Sequence, residues 1–153
     1  MVPEPNMIFH FQGISVIVPP QIDRKGEVIA IDQGIPNRNE IYRKEQKGAL
    51  QATRLIANIV LYEKRMGDQA EEAEPIMSFN PPIEFRVGYN VFDILEAGGK
   101  NQEDLKLAFW DGGKWVIISD SDHEYRILPP NTGRIAEVKI SDWIGDPPIA
   151  WVR

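Results

Sequence analysis

Short runs in which apolar and polar side chains alternate recur along the chain, and glycine and proline separate them. The clearest run spans residues 84–89, where Phe85, Val87 and Tyr89 alternate with polar residues or glycine. Successive side chains of a β-strand point to opposite faces, so this pattern predicts a strand with one buried face. The chain has 12 Gly and 12 Pro, and such frequent punctuation of short alternating runs is typical of many-stranded antiparallel proteins.

The same reasoning predicts further strands elsewhere in the chain. Asp111-Gly112-Gly113-Lys114 lies between two apolar runs and predicts a hairpin, because glycine takes the positive φ values that a tight turn needs. The predicted strands cover residues 14–18, 28–31, 105–110, 115–118, 125–128, 136–140 and 149–152.

Two segments carry mixed signals. Residues 50–66 have apolar side chains at helical spacing, but they also contain many residues that favour strands. Both a helix and a strand remain open from the residues alone, and we choose the strand. Residues 91–97 precede Gly98-Gly99 and predict one or two helical turns, since glycine often ends a helix.

These elements predict an all-β fold, a two-layer antiparallel β-sandwich with at most one or two short helical turns. A length of 153 residues suits a single domain, 1–153, and 42% apolar residues supply a core without a metal or a disulfide. Residues 1–6 are expected to form a flexible tail. The acidic segment 67–75 is expected to be an exposed loop.

Composition narrows the classes of function. The chain has no cysteine, which excludes cysteine nucleophiles, Cys-ligated zinc, iron–sulfur clusters and disulfides. Its formal net charge is −6 and its lysines and arginines are scattered, so neither nucleic-acid binding nor attraction to anionic membranes is expected. The first residues do not form a signal peptide, and no apolar stretch is long enough to span a bilayer. We therefore expect a soluble protein without membrane insertion, in an unknown compartment.

The order of elements over residues 10–143 resembles a known β-sandwich class. A strand that opens with Pro81-Pro82 is followed by an acidic segment and then by residues 105–115, and in the first half Ile14–Val18 precedes Pro19-Pro20. This order looks like the domain shared by zonula occludens protein, ankyrins and netrin receptors, and by many bacterial surface proteins.

The resemblance implies an immunoglobulin-like sandwich, a strand at residues 50–66 and a protein-interaction role. Some members of the class cleave themselves at a site with His-Phe before Ser or Pro. The comparable stretch here is 138–143, where Ser141 lacks that pair, so self-cleavage is not carried over. A shared fold does not by itself establish function.

Aromatic residues are the main candidates for binding. By alternation Trp110 points away from Phe109, so burial of Phe109 would expose Trp110 unless another segment covers it. An exposed tryptophan would serve as a contact for a protein partner, and a row of exposed aromatics would stack on sugar rings. Core packing is the competing interpretation. The candidate binding residues are Trp110, Trp115, Trp151 and Tyr125.

The densest polar cluster is the segment 119–124. Asp120, Asp122 and Glu124 alternate there, and a calcium ion prefers several oxygen ligands around one point. A solvated turn is the competing interpretation, because Asp and Ser favour turns. His10 lies between two phenylalanines and is expected on the exposed face of a strand, and no nucleophile motif accompanies either histidine. No catalytic residue is therefore predicted.

The sequence thus predicts a non-catalytic protein-interaction or structural module that binds a protein partner or self-associates, with no cofactor beyond a weakly indicated calcium ion. This hypothesis expects an exposed apolar patch that includes Trp110 or Trp151. The alternative is a carbohydrate-binding module that uses exposed aromatic residues. A metal-dependent or self-processing enzyme centred on residues 119–124 is the third hypothesis.

Overall fold

The computed structural model describes residues 6–22, 27–35, 37–64, 75–118, 123–129, 133–143 and 147–153. Within these residues the chain forms strands, two short helices and a 3-10 turn at Gln102–Asp104. The helices are α1, Arg38–Lys44, and α2, Val91–Glu96. The strands are β1 Met7–Phe11, β2 Ile14–Val18, β3 Glu27–Asp32, β4 Ala52–Lys64, β5 Ser78–Gly88, β6 Leu107–Trp110, β7 Trp115–Ile117, β8 His123–Ile127, β9 Ile135–Asp142 and β10 Pro148–Val152.

The strands form two five-stranded sheets. The first sheet has the order β1-β2-β5-β9-β8, and the second sheet has the order β3-β4-β10-β6-β7. Every neighbouring pair is antiparallel. The predicted all-β sandwich is confirmed, and so is the strand at residues 50–66, which contain β4. Within the described ranges, no helix has the length and apolar character needed to cross a membrane.

Alternation along β5 builds the core between the two sheets. Ile83, Phe85 and Val87 are 0% exposed, whereas the residues between them are more exposed on the opposite face of the sheet. Trp143 packs edge-on against Phe85 with ring centroids 5.1 Å apart, and Trp151 of β10 is completely buried. Large buried aromatic side chains contribute much of the free energy of such a core.

The strands β6 and β10 of the second sheet are buried on both faces, which the alternation of the sequence does not predict. In β6, Leu107 and Phe109 join the core between the sheets. Ala108 and Trp110 point the other way and belong to a separate apolar cluster that includes Ile41 of α1. We call it the outer cluster, and its buried members are Ile41, Ala108, Trp110, Trp115, Ala150 and Val152.

Trp110 is therefore buried rather than exposed. Alternation does turn it away from Phe109, but the outer cluster covers it and leaves only 8% of it exposed. Glu45 fixes the covering segment, because its Oε2 accepts hydrogen bonds from Trp115 Nε1 at 2.8 Å and from the backbone N–H of Ala52 at 2.6 Å. The expectation of an exposed Trp110 is wrong, since the segment that contains α1 adds a third layer to the sandwich.

The predicted hairpin and helical turns are confirmed. β6 and β7 pair across a turn in which Asp111 Oδ1 accepts hydrogen bonds from the backbone N–H groups of Gly113 and Lys114, both at 2.9 Å. These two backbone bonds lower the pKa of Asp111. Gly112 has a φ of 105°, a conformation that favours glycine. α2 coincides with most of the helical turns predicted at residues 91–97.

The predicted tail and acidic loop lie almost entirely outside the described residues. Of the tail, residues 1–6, the structure describes Asn6, which is exposed. Of the loop, residues 67–75, it describes Pro75, which forms an isolated antiparallel bridge with Tyr62 of β4. The tail and the loop therefore stay predictions.

We predict that Ile41→Ala lowers the free energy of unfolding by about 2 kcal/mol, because it removes buried methyl groups and leaves a cavity under α1. Urea denaturation measures the loss. Tyr42→Ala is the matched control, since Tyr42 is 43% exposed on the same helix. Equal losses for the two variants would show that α1 does not seal the outer cluster.

Candidate functional site

The start of α2 is fixed by hydrogen bonds to its own backbone. The Asn90 side chain accepts a hydrogen bond from the backbone N–H of Asp93 at 3.1 Å, and Asp93 Oδ2 accepts one from the backbone N–H of Asn90 at 2.9 Å. This reciprocal arrangement is a capping box, which satisfies two backbone donors at the N-terminus of a helix. A six-residue helix gains little from propensity alone, so the capping box helps to define α2.

A partly buried ion pair ties α2 to the second sheet. Arg54 of β4 donates from Nε to Asp93 Oδ1 and from Nη2 to Asp93 Oδ2, each at 2.8 Å. Nη2 also donates to the carbonyl oxygen of Gly88 at 3.1 Å. The Asp93 side chain is 5% exposed and that of Arg54 is 41% exposed. Bidentate pairing offsets the desolvation of the carboxylate, so Asp93 is stable on the inward side of α2.

The inward position of Asp93 turns apolar residues of α2 outward. Val91, Phe92 and Leu95 are 49%, 70% and 62% exposed. They share one face of the helix, because residues three or four positions apart are neighbours on a helix surface. We call these three residues the α2 apolar patch. Ile94 instead packs against the main core. Clustered exposed apolar side chains mark interaction surfaces more often than scattered ones do.

A cavity of about 390 Å³ adjoins the α2 apolar patch and shares Val91 with it. Tyr89 and Ile94 contribute apolar surface to the cavity, and Lys100 and Arg134 contribute positive charge. The cavity and the patch together therefore offer contacts for an apolar group with a negatively charged neighbour.

Tyr89 is held in one position beside this cavity. It is 6% exposed, and its hydroxyl donates a hydrogen bond to Gln102 Oε1 at 2.5 Å and lies 3.1 Å from the carbonyl oxygen of Leu128. Burial raises the pKa of Tyr89, while Arg134 lowers it and Glu103 raises it. The hydroxyl therefore stays protonated at neutral pH, and it acts as a structural donor rather than a base.

Three of the aromatic residues predicted to bind a ligand have structural roles inside the protein. Trp115 and Trp151 are 4% and 0% exposed, and Trp151 Nε1 donates to the carbonyl oxygen of Gly88 at 3.3 Å. Tyr125 is half-buried, and its hydroxyl donates to the carbonyl oxygen of Leu105 at 3.0 Å. Burial raises the pKa of Tyr125. The expected apolar patch containing Trp110 or Trp151 is wrong, because alternation buries Trp151 between the sheets and the outer cluster covers Trp110.

Trp110 nonetheless lines a second cavity, of about 350 Å³, beside the turn between β6 and β7. Two carboxylates lie there: Glu45 accepts from Ala52 and Trp115 through Oε2, and Asp111 accepts from the turn amides through Oδ1. The second oxygen of each carboxylate remains able to accept from a ligand. Trp110 is only 8% exposed, however, so the cavity lacks the aromatic platform on which a sugar ring would stack.

The metal ligands predicted from the sequence cannot be placed among the side chains that the structure describes. Asp120 and Asp122 lie outside the described residues, and so does the side chain of Glu124 in β8. Among the side chains that the structure describes, no three His, Asp or Glu residues converge on a point where they would hold a metal ion. His10 is exposed on β1, as predicted, and its Nδ1 lies 3.0 Å from Ser15 Oγ. The calcium hypothesis stays a prediction.

The outward face of the first sheet carries two glutamates that lie next to each other. Glu84 of β5 and Glu137 of β9 form a side-chain hydrogen bond. Burial and this hydrogen bond raise the pKa of Glu84, and the same bond lowers the pKa of Glu137. Arg86 Nε donates to Glu84 Oε2 at 2.8 Å, which opposes the rise. Two carboxyl groups that share one proton make the stability of the sheet depend on pH.

Comparison of the chain with protein-family models, with curated proteins and with solved structures found no match. The likeness to the class of zonula occludens protein, ankyrins and netrin receptors therefore rests on the order of sequence elements. Function has to be inferred from the surface of this chain.

The α2 apolar patch is not among the sites predicted from the sequence, although residues 91–95 contain a signal. Four apolar residues around one aspartate, in a short helix, indicate either a helix buried all round or one whose aspartate faces inward. The choice depends on a counter-charge for Asp93. That partner, Arg54, is 39 residues away in the sequence, so a local pattern does not reveal it.

We predict that Arg54→Met lowers the free energy of unfolding by about 2 kcal/mol, because it leaves the buried Asp93 carboxylate without a counter-charge. The loss is smaller than for a fully buried pair, since the Arg54 side chain is 41% exposed. Amide hydrogen exchange of residues 91–96 should accelerate more than exchange in the core strands. Arg54→Lys keeps the charge without the bidentate geometry, and we expect an intermediate loss. A Met variant as stable as the wild type would show that this ion pair does not hold α2.

We predict that Glu84→Gln raises the free energy of unfolding at neutral pH by about 0.5 kcal/mol, because it removes repulsion with Glu137 and keeps an oxygen that accepts from Arg86. The gain is small, since the variant also loses the charge that pairs with Arg86. The pKa of Glu84 in the folded protein lies above its usual 4.5. Between pH 4.5 and that raised pKa the folded protein holds a proton that the unfolded chain has released. The wild type therefore loses stability as the pH rises through this window.

The gain from Glu84→Gln should accordingly shrink as the pH falls toward 4.5, the usual pKa. Glu137, whose pKa is lowered, contributes its own change below that window. Urea denaturation at a series of pH values measures the effect, and Glu96→Gln on exposed α2 is the matched control. A gain that is constant across the window would contradict the shared proton.

Proposed function

We propose that this chain is a non-catalytic protein-interaction module that binds its partner through the α2 apolar patch and the adjoining cavity. The observation that carries this proposal is the exposure of Phe92 and Leu95, 70% and 62%, on a helix that Asp93 anchors from inside. A pre-organised helix loses little conformational entropy when it binds. Large apolar side chains on such a helix favour a docking surface.

The cavity supports a more specific partner chemistry. Lys100 and Arg134 outnumber the single carboxylate, Glu103, among its charged lining residues, although the whole chain has a net charge of −6. A partner segment with an apolar side chain for the patch and a nearby carboxylate for the cavity fits this surface. Charge pairs of this kind set orientation and association rate more than affinity.

Two further considerations favour a protein partner. The class of zonula occludens protein, ankyrins and netrin receptors mostly binds proteins. Our proposal includes that this chain is an immunoglobulin-like sandwich of that class. Carbohydrate binding depends on coplanar exposed aromatic residues. Among the described residues, the large aromatic side chains with substantial exposure are Tyr42 on α1 and Phe92 on α2, and two separate helices do not form one platform.

We predict that peptides selected from a displayed random library by the purified protein carry an apolar residue close to Asp or Glu. Phe92→Ser should weaken the binding of a selected peptide at least tenfold, or about 1.4 kcal/mol, because it removes the most exposed apolar anchor. Lys100→Glu should weaken it as well, chiefly by slowing association. Isothermal calorimetry and surface plasmon resonance measure the two effects.

Tyr42→Ser is the matched control, since it removes an exposed aromatic side chain from the other helix. It should leave the affinity of the selected peptide unchanged. Circular dichroism should show that all three variants keep the β-sheet spectrum. Peptides that bind wild type and Phe92→Ser equally well, or a library that yields no binder, would contradict the proposal.

A further inference from the structure

The four strands at the edges of the two sheets differ in how well they are protected from pairing with another chain. Natural proteins protect edge strands with charged residues, with proline or by keeping them very short. β3 contains Glu27 and Asp32, β8 contains Glu124 and Arg126, and β7 has only 3 residues. β1, with the sequence Met-Ile-Phe-His-Phe, contains no Lys, Arg, Asp, Glu or Pro.

The hydrogen-bond pattern shows which backbone groups of β1 face outward. The carbonyl oxygen of Gly13 accepts a hydrogen bond from the backbone N–H of Gly88 at 3.0 Å, so Gly13 and every second residue after it face β5. The backbone groups of Val16 therefore face β1, where Phe9 is its partner. By the same alternation, the N–H and C=O groups of Ile8 and His10 point away from the sheet.

The side chains of β1, like its outward backbone groups, are left partly uncovered. Phe9 and Phe11 are only partly buried although they pack against the main core, and Met7 on the same side is 38% exposed. Ile8, on the opposite face, is 53% exposed. Core-facing side chains stay this exposed because, among the strands that the structure describes, β1 is the last of its sheet. One more strand beside β1 would cover them.

We propose that two copies of this chain associate through β1, with the two strands antiparallel about a twofold axis at Phe9. Ile8 then lies opposite His10 of the partner copy, and each such pair exchanges backbone N–H and C=O groups. Phe9 meets Phe9 of the partner copy, and Met7 meets Phe11 of the partner copy, so the apolar row of one sheet continues into the other.

The occupant is a second copy because this strand is complementary to itself. The twofold register leaves no charge opposite a like charge, because β1 contains no Lys, Arg, Asp or Glu. The association surface is uncharged, but each chain carries a net charge of −6. Long-range repulsion between the copies should therefore weaken the dimer at low salt, and added salt should strengthen it.

Sedimentation velocity of the full chain over a range of concentrations tests this proposal. We expect the wild type to move from the mass of one 17.4 kDa chain to twice that mass as concentration rises. Ile8→Lys should raise the dissociation constant of the dimer at least about tenfold, because a lysine on the edge opposes strand pairing. Ile31→Lys is the matched control, since Ile31 is 39% exposed on the edge of the other sheet, and it should change nothing.

His10→Pro is a second variant, because proline is tolerated on an edge strand where its missing N–H faces outward. It should keep the monomer folded and abolish the dimer. Amide hydrogen exchange locates the contact, since Ile8 and His10 should become protected as the dimer forms. Phe92→Ser should dimerise like the wild type, which separates this inference from the proposed function of α2.

A wild type that stays monomeric at every concentration would overturn the inference. So would a dimer that persists in both Ile8→Lys and His10→Pro, or one that forms without protection of the two outward amides. A dimer that weakens as salt is added would also contradict it, since that response indicates association through opposite charges.

Discussion

Burial of β6 and β10 on both faces is the constraint on which the rest of this structure depends. β6 and β10 present apolar side chains in both directions, so one apolar layer cannot cover them. The first sheet covers one face and the segment that contains α1 covers the other. Glu45 then has a structural role, because it connects that segment to Trp115 and to β4. The tryptophans are buried in this arrangement, and their main role is packing.

The exposed α2 apolar patch is created by one polar contact inside the protein. A short helix with the sequence of α2 would ordinarily place its aspartate in water and its apolar residues in the core. Arg54 reverses this choice by offering Asp93 a bidentate partner on β4. The ion pair between Arg54 and Asp93 therefore both holds the helix on the sheet and leaves Phe92 exposed. A substitution of Arg54 would therefore disturb the proposed binding surface on α2, although Arg54 itself lies outside that surface.

Local patterns in the sequence predicted most of the architecture, because period-two alternation depends only on neighbours in the chain. The strand at residues 84–89, the turn at residues 111–114 and the helical turns near residue 91 follow from such patterns. At residues 50–66 the same patterns left helix and strand open, and the structure shows that these residues contain β4. The burial of Trp110 does not, since it depends on α1, which lies more than sixty residues earlier in the chain. The orientation of α2 likewise depends on Arg54. Candidate sites chosen from the sequence therefore failed at positions where distant segments pack together.

The position of β10 between β4 and β6 has a consequence for how the chain reaches its fold. Thr53 Oγ1 of β4 donates to the carbonyl oxygen of Trp151 in β10 across a separation of 98 residues. On its other side, β10 pairs with β6. Closing a loop of this length loses chain entropy before any contact compensates for it. Proteins dominated by such non-local pairings form slowly. The second sheet should therefore be completed late in folding. Until then its unpaired strands would be open to pairing with other chains.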